Sequence, residues 1–254
     1  MDRESRSPGH RRLALCAALV LLVVTPSSLA AADAGTGPLG VTAGAVVSER
    51  SDRVGVLFRD GDDIVGGHFC TASVVHSPRR DLVLTAAHCL NGDGDLLFAP
   101  GYRDGLAPHG VWRVARRVLP AEWVERQDED SDVAFAVVEP DREGNGIEDV
   151  VGAERFAAGT ATGATAVTVT GYPSDRETPV TCTNKPTAHG RTQQRIECPG
   201  FSGGTSGSPW VNGDGKVVGV LGGHELGGDT DDVSYSVALG TEAARLYREA
   251  LSAS

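Results

Sequence analysis

A serine set between glycines, Gly204-Thr205-Ser206-Gly207-Ser208-Pro209, lies far downstream of a histidine in Thr85-Ala86-Ala87-His88-Cys89, with a carboxylate between them in Asp132-Val133-Ala134. A serine hydroxyl is a poor nucleophile at neutral pH, so it attacks a carbonyl only when a neighbouring base takes its proton. His88 can be that base, and a buried carboxylate at Asp132 can fix its tautomer and offset the charge that develops on the ring. Separations of 44 residues from His88 to Asp132 and 74 from Asp132 to Ser206 exclude a local motif. Only folding brings the three together. Asp130 is the rival carboxylate in the acidic run Asp128-Glu129-Asp130-Ser131-Asp132, but Asp132 leads directly into Val133-Ala134-Phe135-Ala136-Val137, the start of a buried strand. Gly204 and Gly207 flank the serine where a backbone aiming two N–H groups at one oxygen needs torsions that side chains forbid.

The elements that must position these groups read as short strands. β-rich runs recur between turn signals at 54–58, 68–75, 82–85, 111–118, 133–138, 166–170, 217–221 and 233–237. Asn212-Gly213-Asp214-Gly215, between Pro209-Trp210-Val211 and Lys216-Val217-Val218, has hairpin chemistry. Abundant glycine, 33 residues, and only 5% aromatics suit many turns, so a sandwich or barrel is expected. The carboxyl end differs, with residues 241–251 carrying apolar groups spaced for one helical face behind a candidate cap at Thr241.

Arg11-Arg12 precede an apolar run, Leu13 to Val24, that ends in Thr25-Pro26 and small residues, the pattern of a secretory signal peptide. The run is too short to cross a bilayer of ~30 Å as a helix. Cleavage after Ala30, Ala32 or Ala34 suits a signal peptidase, and general secretion is favoured over the partial twin-arginine match. Residues 1–32 are therefore read as leader, 33–53 as linker or short propeptide, and 54–254 as one domain. Removing the leader leaves four cysteines, Cys70, Cys89, Cys182 and Cys198, and a formal charge near −13 against −11 for the whole chain. Four cysteines allow three connectivities, and although the spacing favours two local loops, sequence alone does not choose. The alternatives of free thiols or a zinc site are disfavoured by export and by the lack of C-x-x-C spacing. Seven histidines are scattered without an H-E-x-x-H motif, so no metal is assigned. The acidic balance argues against nucleic acid and anionic membranes as partners.

In order and content, the serine, histidine and aspartate motifs resemble those of chymotrypsin-fold serine proteases, and His68-Phe69-Cys70-Thr71-Ala72-Ser73-Val74-Val75 resembles the strand before that family's histidine loop. The likeness covers about residues 54 to 250. It implies two six-stranded antiparallel barrels with catalytic groups at the cleft between them, a C-terminal helix, and disulfides Cys70–Cys89 and Cys182–Cys198. It also implies an oxyanion hole from the amides of Gly204 and Ser206, and hydrolysis of protein or peptide substrates by a secreted, monomeric enzyme needing no cofactor. The alternative is a catalytically silent binding module on the same scaffold. Two departures stand out: Thr205 occupies the place where trypsin-like zymogens carry an aspartate for the new amino terminus, and no Ile-Val-Gly-Gly start is present. Thr205 and Ser208 bring the loop closer to bacterial glutamyl-endopeptidases. The likeness puts the base of the primary pocket at Gly200 and one wall along Val220-Leu221-Gly222-Gly223-His224, with Asp229, Asp231 and Asp232 on the next loop. No side-chain preference follows.

Overall fold

The computed structural model describes residues 38–253, which belong to one compact unit. The leader assigned to residues 1–32 lies outside them. In chain order the strands are β1 (Thr42–Gly44), β2 (Val54–Arg59), β3 (Cys70–Val75), β4 (Leu82–Thr85), β5 (Leu96–Pro100), β6 (Trp112–Val118), β7 (Ala134–Val138), β8 (Arg155–Phe156), β9 (Val167–Gly171), β10 (Val180–Asn184), β11 (Thr187–His189), β12 (Gln193–Glu197), β13 (Pro209–Asn212), β14 (Lys216–Val220) and β15 (Val233–Val237). The helices are α1 (Glu49–Asp52), α2 (Ala121–Arg126), α3 (Ile147–Val151) and α4 (Thr241–Ala253).

The first half is a closed antiparallel barrel in the order β2-β3-β4-β7-β6-β5. Closure removes every sheet edge, so each barrel strand finds partners on both sides. The barrel is filled by Leu57, Val74, Leu84, Phe98, Phe135 and their neighbours. In the second half β1-β10-β9-β13-β14-β8 form one sheet and β11-β12-β15 another. Side chains bridge the seam between the two sheets where a backbone ladder would otherwise run: Val220 N–H donates to Ser236 Oγ at 2.9 Å, and Gln194 Nε2 donates to the Val218 carbonyl at 3.0 Å. The all-β class, a closed six-stranded barrel and the C-terminal helix are as expected; in place of a second closed six-stranded barrel, the remaining strands form a six-stranded and a three-stranded sheet.

Strand β9 shows the alternation that orients a half-buried strand. Val167 and Val169 enter the second core with Trp210 and Ile196, while Thr168 and Thr170 face out and pair through their hydroxyls with Thr183 and Thr181. Helix α4 places Ala243, Leu246 and Ala250 on one face against the barrel, the spacing of an amphipathic helix. The stretch read as linker is strand and helix in its described part: β1 adds to β10 through Thr42↔Cys182, and Ser48 caps α1 by accepting from Ser51 N–H. Both implied disulfides are present, Cys70–Cys89 and Cys182–Cys198, with Cα separations of 6.1 and 5.9 Å. Among the described residues no helix is long and apolar enough to cross a membrane.

Candidate active site

His88 sits in a single 3-10 turn, Ala87–Leu90, directly after β4, and its neighbour Cys89 is tied back to β3 by the disulfide to Cys70. Asp132 ends another 3-10 turn, Glu129–Ser131, two residues before β7. Because β4 and β7 are paired in the barrel, with Thr85 opposite Ala134, two turns distant in sequence open side by side. The Asp132 carboxylate is fully buried, and the His88 side chain is 15% exposed. Asp132 Oδ2 accepts from His88 Nδ1 at 2.8 Å and from Gly223 N–H at 2.8 Å, and Oδ1 accepts from His88 N–H at 2.9 Å. Three donors satisfy a buried charge that would otherwise be costly. The carboxylate also holds the proton-bearing imidazole nitrogen, leaving Nε2 as the acceptor, unpartnered among the described residues.

Gly222 makes this packing possible. A Cβ there would lie 2.7 Å from Asp132 Oδ2 and 3.2 Å from the Ala86 Cβ. The rival Asp130 is exposed and accepts from Thr192 Oγ1 and Gln193 Nε2 at 2.9 and 2.8 Å, away from His88.

Ser206 lies on the turn between Cys198 and β13. Its carbonyl accepts from Thr71 N–H at 2.8 Å, anchoring the turn to the first strand of the disulfide-closed loop. Gly207 carries φ +86, and any Cβ on it would overlap the Thr71 carbonyl oxygen and Thr85 Oγ1, so only glycine lets the serine turn approach the strand that leads to His88. The Ser206 hydroxyl donates to the Leu226 carbonyl at 3.5 Å and makes no hydrogen bond to His88. Among the described residues the N–H groups of Gly204 and Ser206 have no acceptor. Thr205, 1% exposed, turns inward: its hydroxyl donates to the Ser202 carbonyl at 2.7 Å, and Ser208 Oγ donates to the Thr205 carbonyl at 2.7 Å.

Gly200 is on an exposed turn with nothing within 4 Å of a Cβ, and Gly222 packs behind Asp132. His224 stacks with His189 and meets the edge of Tyr235, centroids 4.9 and 4.8 Å apart, and its Nδ1 is 3.7 Å from Glu129 Oε2. Asp229, Asp231 and Asp232 are exposed, while the carbonyls of Asp231 and Asp232 receive the N–H groups of Phe201 and Cys198. Cys70, His88 and Cys89 cluster closely enough for metal ligands, but both sulfurs are in the disulfide. Sequence reasoning gave no individual role to Thr71 or Leu226, whose bonds to Ser206 run through a main-chain N–H and a main-chain carbonyl and leave no pattern in residue type.

A family model for the trypsin-like peptidase domain matches residues 70–220, a span that contains His88, Asp132 and Ser206. No curated protein matches the chain in sequence. Among solved structures, a thermostable serine protease from an extremophilic microorganism is 30% identical, with 82% of this chain and 100% of that chain covered at a TM-score of 0.71. The protease Anisep from Arthrobacter nicotinovorans is 27% identical over 79% of this chain and 96% of that one, TM-score 0.69. A Glu endopeptidase, 16% identical over 85% and 98% of the two chains with TM-score 0.69, shares the fold. With the barrel, the paired loops and the family match together, the chain belongs to the trypsin-like peptidase domain family and is a serine endopeptidase.

Proposed function

We propose that this is an exported enzyme that hydrolyses protein and peptide substrates through an acyl-enzyme, with Ser206 as nucleophile, His88 as general base and then acid, and Asp132 orienting His88. The observation that carries this reading is the double hydrogen bond from His88 to a fully buried Asp132. It fixes the proton on Nδ1 and makes Nε2 the base. The Ser206 hydroxyl is held only by a long bond to Leu226, and rotation about its Cα–Cβ bond frees it.

On attack, Ser206 Oγ bonds to the carbonyl carbon while its proton passes to His88 Nε2. The carbonyl oxygen becomes anionic and takes hydrogen bonds from Gly204 and Ser206 N–H, donors with no other acceptor among the described residues. One such donor is typically worth ~3 kcal/mol in the transition state. Collapse expels the amine, which takes the proton from His88; water then repeats the sequence on the ester. No step calls for a cofactor. Export is supported by the leader pattern at 1–32 and by two disulfides, which persist in oxidising compartments.

Casein hydrolysis by the purified wild type but not by Ser206→Ala is the expected result. Silence of the correctly folded wild type would favour a binding module on this scaffold.

A further inference from the structure

The nucleophile loop lacks the acid that an amino-terminal ammonium could bind, since Thr205 stands before Ser206 and bonds only within its own turn. Something else must hold the Gly204 and Ser206 N–H groups toward one point. Thr71, on β3, is fully buried and holds the loop through two hydrogen bonds, one from its side chain and one from its backbone. Its hydroxyl donates to the Gly204 carbonyl at 3.0 Å and accepts from Tyr172 N–H at 2.9 Å, so its single proton and a lone pair are both directed. Its N–H donates to the Ser206 carbonyl at 2.8 Å. Its own carbonyl accepts from Thr85 Oγ1 at 2.8 Å, three residues before His88. On the other side of the loop Ser174 N–H donates to the Gly203 carbonyl at 2.7 Å, and a Cβ on Gly204 would lie 2.6 Å from Ser174 N and 2.7 Å from Tyr172 O.

Gripping the Gly204 carbonyl fixes the plane of the peptide that follows it. With Gly204 at φ +94, that grip sets the direction of the turn between the two donors. We infer that Thr71 is a positioning residue whose hydroxyl orders the oxyanion-binding loop, taking the place of an ion pair that a threonine at position 205 cannot make. This rests on the reading of Ser206 as nucleophile. A backbone bond from residue 71 would survive any substitution, so the hydroxyl is the part that the side chain adds. A donor that tilts by a few tenths of an ångström loses most where charge develops, and so acts on the transition state more than on bound substrate.

The test compares Thr71→Val, which keeps the shape and removes the hydroxyl, with Thr71→Ser, which keeps the hydroxyl. Active-site concentration is titrated with a fluorophosphonate, and folding is checked by thermal melting. Expected for Thr71→Val is a fall in kcat of about tenfold or more with KM changed by less than about threefold, and a matching loss of affinity for a peptidyl trifluoromethyl ketone, whose adduct carries the oxyanion. Thr71→Ser should stay within about threefold of wild type. A Thr71→Val enzyme that melts lower but turns over at the wild-type rate per titrated site would overturn the inference, as would a serine variant as impaired as the valine one. Should valine prevent folding, Thr71→Ala is judged by the same criteria. A wild type that neither labels nor turns over would instead remove the reading of Ser206.

Discussion

Substituting Gly222 by alanine should damage the enzyme through Asp132 while leaving the backbone itself comfortable. Gly222 does not occupy a left-handed conformation, so an added methyl would ordinarily reduce unfolded-chain entropy and stabilise by roughly 0.4–1 kcal/mol. Here the methyl would lie 2.7 Å from Asp132 Oδ2, some 0.7 Å or more inside an ordinary carbon–oxygen contact, with the Ala86 Cβ at 3.2 Å blocking retreat. Inserting one carbon into such a site costs about 1–3 kcal/mol. Relief by moving the carboxylate breaks its 2.8 Å bonds to His88 Nδ1 and Gly223 N–H. If that strain falls on the His88–Asp132 pair, kcat should drop by about 10- to 100-fold, at roughly 1.4 kcal/mol per factor of ten. The assay is steady-state hydrolysis of a chromogenic peptide with titrated active sites, alongside a thermal melt and the NMR resonance of the His88 Nδ1 proton. A variant with unchanged kcat and a raised melting temperature would refute the claim that this contact is tight and that it matters to the imidazole.

Other consequences concern pH and the disulfides. Ser131, adjacent to Asp132, donates to both oxygens of Glu242 at 3.0 and 3.2 Å, and burial, with Glu122 adding, raises the Glu242 carboxyl above its ordinary range. Glu122 is lowered by its own backbone N–H, then by the Glu242 carboxyl, with Arg245 and Arg126 contributing. A raised carboxyl gives stability that is full below the ordinary carboxylate range and lost as pH rises through its folded value, while the lowered Glu122 gives stability lost as pH falls. Glu242→Gln, neutral at all pH, should therefore flatten the fall in melting temperature above the ordinary carboxylate range; identical slopes for the two proteins would contradict the linkage. Removing either disulfide, with loops of 19 and 16 residues, should cost about 3 kcal/mol of stability. Cys70→Ala with Cys89→Ala should also lower kcat, because Cys89 anchors the turn that carries His88, and a larger kcat loss from the Cys182/Cys198 pair would argue against that anchoring.

What could be read from the sequence, and what could not, divides along physical lines. Asp132 was separable from Asp130 because the residue after it begins a continuous apolar strand, and burial follows from that. Strands β4 and β15 were legible to the residue, since β-branched runs between turn residues are direct signals. Strand β12 was not, because Gln193 and Gln194 break the apolar pattern while being buried and bonded to His224 N–H and the Val218 carbonyl. Buried amides with assigned partners look like surface residues in sequence. The division of the second half into two sheets is hidden for the same reason, as Ser236 and Gln194 bridge the seam through side chains. Thr71 is a common strand residue by type. Only its approach to Gly204 and Tyr172, 133 and 101 residues away, gives it a role.

The proposed chemistry turns on His88 Nε2 activating the Ser206 hydroxyl. It is tested most directly by treating folded wild type and His88→Ala with a peptidyl phosphonate and mapping the adduct by mass spectrometry. A single label on Ser206 is expected in the wild type, with labelling slowed by about a thousandfold or more when the imidazole is removed. Equal labelling in both proteins, or an adduct on another residue with Ser206 unmodified, would contradict it.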